Sequence, residues 1–381
     1  MPHQNSVMHG VTQHIPWLDF DRLVAELDSD ADERGFDSKS HLIAMLFAQF
    51  SKAGALRDVE AGMASHAARL YHLGVTPAVR STLADANRNR DSRLFSGLFA
   101  LMIGRLSRGQ RRNLAETTYL LDATAVPLPA HAARWARFSA TTCGVKMHVI
   151  YDAGAERPIY AAVTASNVND ITAAHEMPIE PGATYVFDLG YYDYAWWAKL
   201  DEAQCRIVPR FKSNTPLQLV EELALPEGSA ILSDRIGFLP TRLTYRRQNP
   251  MADAVREIRV RTETGKLLRI LSNDLDASAQ EIAELYKRRW AIELFFRWVK
   301  QVLDIKHFLG RSENAVRIQI ATALIAFLLL RFAQATQKAI TSPLKFARLV
   351  RQNLMHRRTI NALLKPPDPR PRGCIDQLVL L

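Results

Sequence analysis

Apolar side chains recur at helical spacing through residues 18 to 100, in HLIAMLFAQF, in ALRDVEAGMASHAARLYHLG and in RLFSGLFALMIGRL. Spacing of three and four residues predicts amphipathic helices. Between the last two segments, LGVTPAVRSTLADANRNR breaks the pattern at Gly74 and Pro77 and resumes as a short helix from about Ser81. A helix, a turn and a short helix bearing Ser81, Thr82, Asn87, Arg88 and Arg90 suit a helix-turn-helix reader of DNA. A small helical bundle with polar outer faces produces the same pattern.

From Thr117 the period changes to that of strands. TTYLLDATAV is β-prone, and VKMHVIYD and PIYAAVTAS, joined by AGAER, predict a hairpin. NDITAAHEM predicts a helix, ATYVFDLG a strand ending at Gly190, YDYAWWAKLDEA a helix and CRIVPRFK a further strand. Three consecutive strands, then helix, strand, helix, strand, is the order of an α/β ribonuclease-H-like core, a mixed sheet with helices on its faces. Residues 213 to 275 interrupt it with antiparallel-strand material, turning at NPMAD and ETGK. SAQEIAELYKRRWAIELFFRWVKQVL then returns to one long helix, capped at Ser278 with Glu281 three residues on. The expected division is a helical domain at 1–100, a core at 115–340 with its β-rich insertion at 213–275, and a basic tail at 341–381, in which KPPDPRPRG reads as extended or disordered.

Composition excludes some classes. With 48% hydrophobic and 23% charged residues the chain is ordinary globular material. The longest charge-free apolar run, residues 318 to 330 between Arg317 and Arg331, falls short of the ~20 residues of a membrane span and predicts a buried helix. No basic segment followed by an apolar core opens the chain, so a cytoplasmic, nucleoid-associated protein without a membrane partner is expected. Cys143, Cys205 and Cys374 are scattered, without metal-like spacing. The net charge of +10 is uneven: residues 286 to 381 carry 18 Lys and Arg against 5 Asp and Glu, whereas the rest is slightly acidic. Such a segment suits a polyanion, most often nucleic acid, or else a solvated charged surface.

Two acids terminate apolar strands. Asp122 follows Tyr119, Leu120 and Leu121, and Asp188 follows Tyr185, Val186 and Phe187. A carboxylate there is costly to desolvate unless paired or bound to metal, and hard divalent cations prefer oxygen ligands. A turn or cap role is the simpler account of any one such Asp. It suits Asp170, Asp193 and Asp201, at expected helix starts. A third acid lies in YKRRWAIELFFRWVK, residues 286 to 300. At ~100° per residue, with Tyr286 at zero, Arg289 falls at roughly 300°, Glu293 at roughly 340° and Lys300 at roughly 320°. These four share a narrow stripe on a helix otherwise lined by Leu285, Trp290, Ile292, Leu294, Phe295, Phe296, Trp298 and Val299, for which core packing is expected, both tryptophans included. The stripe lines a site or faces solvent, where Arg289, Glu293 and Arg297 would form an i, i+4 ladder.

The stripe resembles the signature of the DDE-type insertion-sequence transposases of the YREK group, the IS-four family: Tyr, two residues, Arg, three residues, Glu, six residues, Lys. Tyr286, Arg289, Glu293 and Lys300 meet it. LLDAT around Asp122, VFDLGYYD around Asp188 and VPRFK are similar to the family's other segments, and the likeness runs from about residue 117 to 310. The family usually has Ser or Thr after the first Asp, where this chain has Ala123 and then Thr124. The resemblance implies that Asp122, Asp188 and Glu293 are catalytic carboxylates holding Mg²⁺ or Mn²⁺, two ions ~3.5 to 4 Å apart. It implies DNA contacts from Tyr286, Arg289 and Lys300; Arg297, Arg210 and Lys212 of VPRFK, and Arg88 and Arg90 complete the expected set. Partners would be double-stranded DNA, as terminal inverted repeats and target, bound by a homodimer. The activity implied is cleavage and strand transfer at the ends of the chain's own element; an inactive DNA-binding remnant or regulator, and a ribonuclease-H-like nuclease with another substrate, are the alternatives.

Overall fold

The structure, a computed structural model, describes residues 5–31, 35–108, 117–128, 133–136, 143–225, 230–241, 248–303 and 307–364. The chain begins with helices α1 (Val7–Thr12), α2 (Trp17–Glu26), α3 (Ser38–Ser51), α4 (Leu56–Ser65), α5 (Ala67–Leu70), α6 (Arg80–Asn89) and α7 (Arg93–Arg108). There follow β1 (Thr118–Leu128), α8 (Ala133–Ala136), β2 (Cys143–Asp152), β3 (Arg157–Ala165), α9 (Asp170–Ala174), β4 (Thr184–Phe187), α10 (Tyr194–Glu202) and β5 (Arg206–Pro209). Next come β6 (Gln218–Glu222), β7 (Ile231–Phe238), β8 (Val255–Arg261) and β9 (Leu267–Ser272). Helices α11 (Ala279–Arg288), α12 (Trp290–Val302), α13 (Glu313–Ala335) and α14 (Pro343–Asn353) close the chain.

Two units divide the chain: residues 1–86 with 322–381, and residues 87–321. In the first, Asp37 caps α3 by accepting from the Ser40 N–H at 2.7 Å, and α3 is buried along nearly its whole length. Lys52, left-handed at φ 59°, ends it. Here the expected division needs correction, because residues 341 to 364 are not a tail. Ser342 caps α14, whose Phe346, Ala347 and Val350 are buried, and Arg351 donates to the Phe50 carbonyl at the end of α3. The Val7 N–H donates to the His356 carbonyl at 3.0 Å. An amphipathic helix gains most by burying its apolar stripe, and α14 does so against the amino-terminal helices. KPPDPRPRG and Cys374 lie outside the described residues. The run 318 to 330 is buried within α13, as its pattern predicts. At 23 residues α13 passes for a membrane span by length and composition alone, but it is a core helix.

The second unit contains a five-stranded sheet of order β3-β2-β1-β4-β5. β1, β2 and β3 pair antiparallel, as a hairpin meander requires; β4 and β5 run parallel to β1, as crossovers through α9 and α10 require. This is the ribonuclease-H-like arrangement expected from the element order. One face buries Tyr119, Leu121, Tyr185, Phe187, Trp196 and Trp197. The other receives α12, with the Tyr151 and Phe295 rings 5.2 Å apart. The interruption forms its own antiparallel sheet, β6-β7-β8-β9, joined to β5 through an Arg210–Ile270 bridge. Inside it Arg256 forks onto Asp234 at 2.8 and 2.7 Å, both nearly fully buried, and also donates to the Leu275 carbonyl at the approach to α11.

Ser278 caps α11 through the Glu281 N–H, as expected. The single long helix does not persist. It divides at Arg289, whose N–H bonds the Tyr286 carbonyl at 3.1 Å, a tightened three-residue turn inside otherwise helical backbone.

Candidate active site

β1 and β4 are parallel neighbours paired through Leu121↔Phe187. Asp122 and Asp188 are the next residue on each strand, so strand alternation points both carboxylates to the same face, the one that α12 covers. Asp188 directly follows β4, as expected, whereas Asp122 lies within β1, which runs on to Leu128 paired with β2, so the strand end expected at Asp122 is corrected: only the parallel pairing with β4 stops there. Asp122 Oδ1 accepts from the Ala123 N–H at 2.8 Å, and Asp188 Oδ1 accepts from the Gly190 N–H at 2.8 Å.

The third acid arrives on α12. Ile292, Phe295, Phe296 and Val299 are buried, and packing them against the sheet brings Glu293 beside Asp122 of β1. Arg289, at the head of the helix, links the acids. Its Nη1 donates to Asp122 Oδ2 at 3.3 Å and its Nη2 to Glu293 Oε1 at 2.5 Å. A cleft of about 350 Å³ opens beside them, lined by Asp122, Thr124, Glu293, Phe296, Arg297 and Lys300.

Burial is the main force on Asp122 and pushes its pKa up to about 6. The Ala123 N–H and the Arg289 guanidinium oppose that shift, while the charges of Asp188 and Glu293 add to it. Asp122, buried beside two further carboxylates, therefore sits in a site short of positive charge. Tyr286 is pushed up by burial, with Arg289 and Arg210 pulling it down.

A model described as the transposase DDE domain matches residues 114–329. That span covers the five-stranded sheet, its insertion and all three acids. The chain belongs to the DDE-domain transposases. A Sinorhizobium fredii protein named as a transposase, y4zB, is 38% identical over 293 residues, 76% of this chain and 81% of that one. A Geobacillus stearothermophilus protein named as the transposase for insertion sequence element IS5377 is 30% identical over 269 residues, 67% of each. A model described as a domain of unknown function (DUF4372) matches residues 3–76. Among solved structures, a piggyBac transposase synaptic complex with hairpin DNA covers 96% of this chain and 83% of its own, at TM-score 0.48 and 10% identity.

DDE transposases cleave and rejoin DNA and use divalent metal ions. The donors in this transposase domain are all carboxylate oxygens, the chemistry that hard cations select. As the side chains stand, no three such groups among the described residues surround a single point. Arg289 fills the gap between Asp122 and Glu293 instead.

The remaining expected contacts divide by burial. Lys300 and Arg297 line the cleft with the acids, and Arg297 also lies over the Trp290 ring at 5.8 Å. Tyr286 is buried, with the Arg289 guanidinium 5.9 Å from its ring. Arg210 approaches Tyr286 from β5, whereas the exposed Lys212 sits over Tyr192 at 4.2 Å. Arg88 is exposed on α6; Arg90 is only 5% exposed, so its side chain cannot reach a DNA groove, and Asn87 is buried too. The Asn87 and Arg90 carbonyls accept from the Asn314 side chain, which ties this stretch to α13.

Two packing expectations fail. Trp290 is 51% exposed and Leu294 46%, because the buried side of α12 is the one that carries Ile292, Phe295, Phe296 and Val299. Asp201 lies in the last turn of α10, not at a helix start, and accepts from the Asn273 side chain. Asp193 does cap α10, through the Trp196 N–H at 2.7 Å.

Sequence reading missed one neighbour of the site. Asp170 is the first residue of α9, yet its carboxylate also accepts from Lys146 Nζ at 3.0 Å and stands 3.7 Å from His148 Nδ1. A Cβ placed on Gly190 would lie 2.8 Å from Asp170 Oδ2 and 3.1 Å from Asp188 Oδ1, so Asp170 borders the second catalytic candidate. The alternation of VKMH, which puts Lys146 and His148 on one face of β2, was the available signal. Tyr191 completes this edge: it is fully buried, and burial together with Asp170, Asp122 and Asp188 raises its pKa well above the ordinary value.

Proposed function

We propose that this transposase uses Asp122, Asp188 and Glu293 to cut and join phosphodiester bonds at the ends of its own insertion sequence. The observation that carries the reading is the meeting of two acids on adjacent parallel strands with a third on the covering helix, all in one electrostatic group. Mg²⁺ or Mn²⁺, two ions in this reading, would be held by those carboxylates and would supply neutralisation of phosphoryl oxygens and an acidified water or 3′-hydroxyl for in-line displacement. The burial that raises the Asp122 pKa favours such a cation, because pairing offsets part of the cost of desolvating the carboxylate.

The cationic side chains have a separate task. Lys300 and Arg297 on the cleft wall, with Arg289 and Arg210 near Tyr286, grip phosphates beside the scissile bond; the arginines suit bidentate contact and Tyr286 a single hydrogen bond. The spacing of Tyr286, Arg289, Glu293 and Lys300 supports assignment to the YREK-signature group. In the amino-terminal segment, exposed Ser81, Thr82 and Arg88 on α6 are the surface offered to terminal inverted repeats. Pairing two element ends calls for two copies on DNA, and Lys212 extends the basic surface beyond β5.

The deciding assay incubates the purified chain with Mg²⁺ or Mn²⁺ and DNA bearing the element's terminal repeats. End-specific cleavage is expected, and its loss in Asp122→Ala, Asp188→Ala and Glu293→Ala while binding persists. Binding without cleavage in the unmodified protein favours an inactive regulator, and cleavage indifferent to the repeats favours a nuclease of broader substrate.

A further inference from the structure

Arg289 does more than sit near the acids. Its two terminal nitrogens are divided between two carboxylates, Asp122, 167 residues before it in sequence, at 3.3 Å and Glu293, one helical turn on, at 2.5 Å. Asp122 and Arg289 are less than one-fifth exposed and Glu293 less than one-third, so solvent screens these contacts only in part. The tightened turn at Arg289 starts the side chain from the junction of α11 and α12. A planar guanidinium can serve two acceptors at once, which an ammonium on a single point cannot do as well.

A cation that bridges Asp122 and Glu293 occupies the electrostatic position a divalent ion would need, and it engages the same oxygens. Held this way, each terminal nitrogen has one N–H committed to a carboxylate, so the fork is aimed at the acids and not at a phosphate. We propose that Arg289 is the resident cation of the site, that it competes with divalent metal for Asp122 and Glu293, and that metal binding releases it toward a DNA phosphate. The proposal rests on the reading of the three acids as metal ligands. It makes metal and phosphate binding reciprocal, each strengthening the other through one side chain. It also explains how a site with three acids stays folded before metal arrives.

The test is a titration of the full chain, without DNA, with Mn²⁺ alone, free ion being read by electron paramagnetic resonance. Arg289→Gln removes the competitor and is expected to bind Mn²⁺ about tenfold more tightly than the unmodified chain, equivalent to ~1.4 kcal/mol. Arg289→Lys keeps the charge but loses the fork, and is expected to lie between the two. In metal-free buffer Arg289→Gln should melt lower and recover more on adding Mg²⁺. Equal Mn²⁺ affinity in all three proteins overturns the proposal; so does Arg289→Lys matching the unmodified chain while Arg289→Gln binds tighter, since charge alone would then account for the effect. If none of the three binds Mn²⁺ saturably, or if binding survives Asp188→Asn, the metal-site reading itself fails and the proposal goes with it.

Discussion

Asp122→Asn should stabilise the metal-free protein at neutral pH. The folded chain holds the Asp122 carboxyl at about 6 against an ordinary 3.8, a difference of about 2 units, with burial the largest cause. A folded pKa raised above the unfolded one means that the native state keeps its proton to higher pH. The associated stability is fully present below about pH 3.8 and is lost as pH rises through about 6. At 1.36 kcal/mol per unit, the charged form costs the fold about 3 kcal/mol at pH 7.5. Asparagine imitates the neutral carboxyl, keeps an oxygen for the Ala123 N–H and avoids that cost. The pull of Arg289 already enters the value of about 6, so it is not subtracted again. Melting in chelator should therefore show Asp122→Asn above the unmodified chain at pH 7.5 by on the order of 6 to 12 °C, at ~2–4 °C per kcal/mol. The gain should shrink toward zero near pH 4. A variant that melts at or below the unmodified chain at pH 7.5, or a gain that persists unchanged at pH 4, would refute the electrostatic account of the site.

Two further outcomes test the surrounding geometry. Lys300→Ala should weaken binding to end DNA and lower the slope of log affinity against log salt by about one phosphate contact; an unchanged slope, measured by anisotropy across salt concentrations, would assign Lys300 to solvent. Gly190→Ala should abolish cleavage while leaving DNA affinity near normal, because its Cβ would press on both Asp170 and Asp188; full cleavage activity would mean that Asp188 tolerates displacement.

Much of this was legible from local pattern. β1 to β5 and their succession along the chain follow from alternation and from turn residues. The inserted sheet was visible for the same reason, and Gly265, at φ 80°, turns the chain at ETGK as expected. Asp122 and Asp188 stood out as charges following apolar strand residues, and the resemblance to the transposase signature joined Glu293 to them. Burial of individual residues was less so. Periodicity tells which side of a helix is apolar, and α12 is apolar on most sides; only its docking on β1 decided that Phe295 is inside and Trp290 outside. Arg90 shows the converse, a charged residue in a polar stretch that packing has nonetheless covered.

By itself, the sequence determined most of the elements, their order along the chain and the signature spacing, since each depends on residues close together in the chain and on a fixed backbone period. Tertiary structure alone decided that the segment after α13 rejoins the amino-terminal helices, that Asp170 and Tyr191 border the site, and that Arg289 lies between Asp122 and Glu293. Those are contacts between elements distant in sequence. No local period encodes them, because which charge neutralises a buried carboxylate depends on what the fold brings within a few ångströms of it.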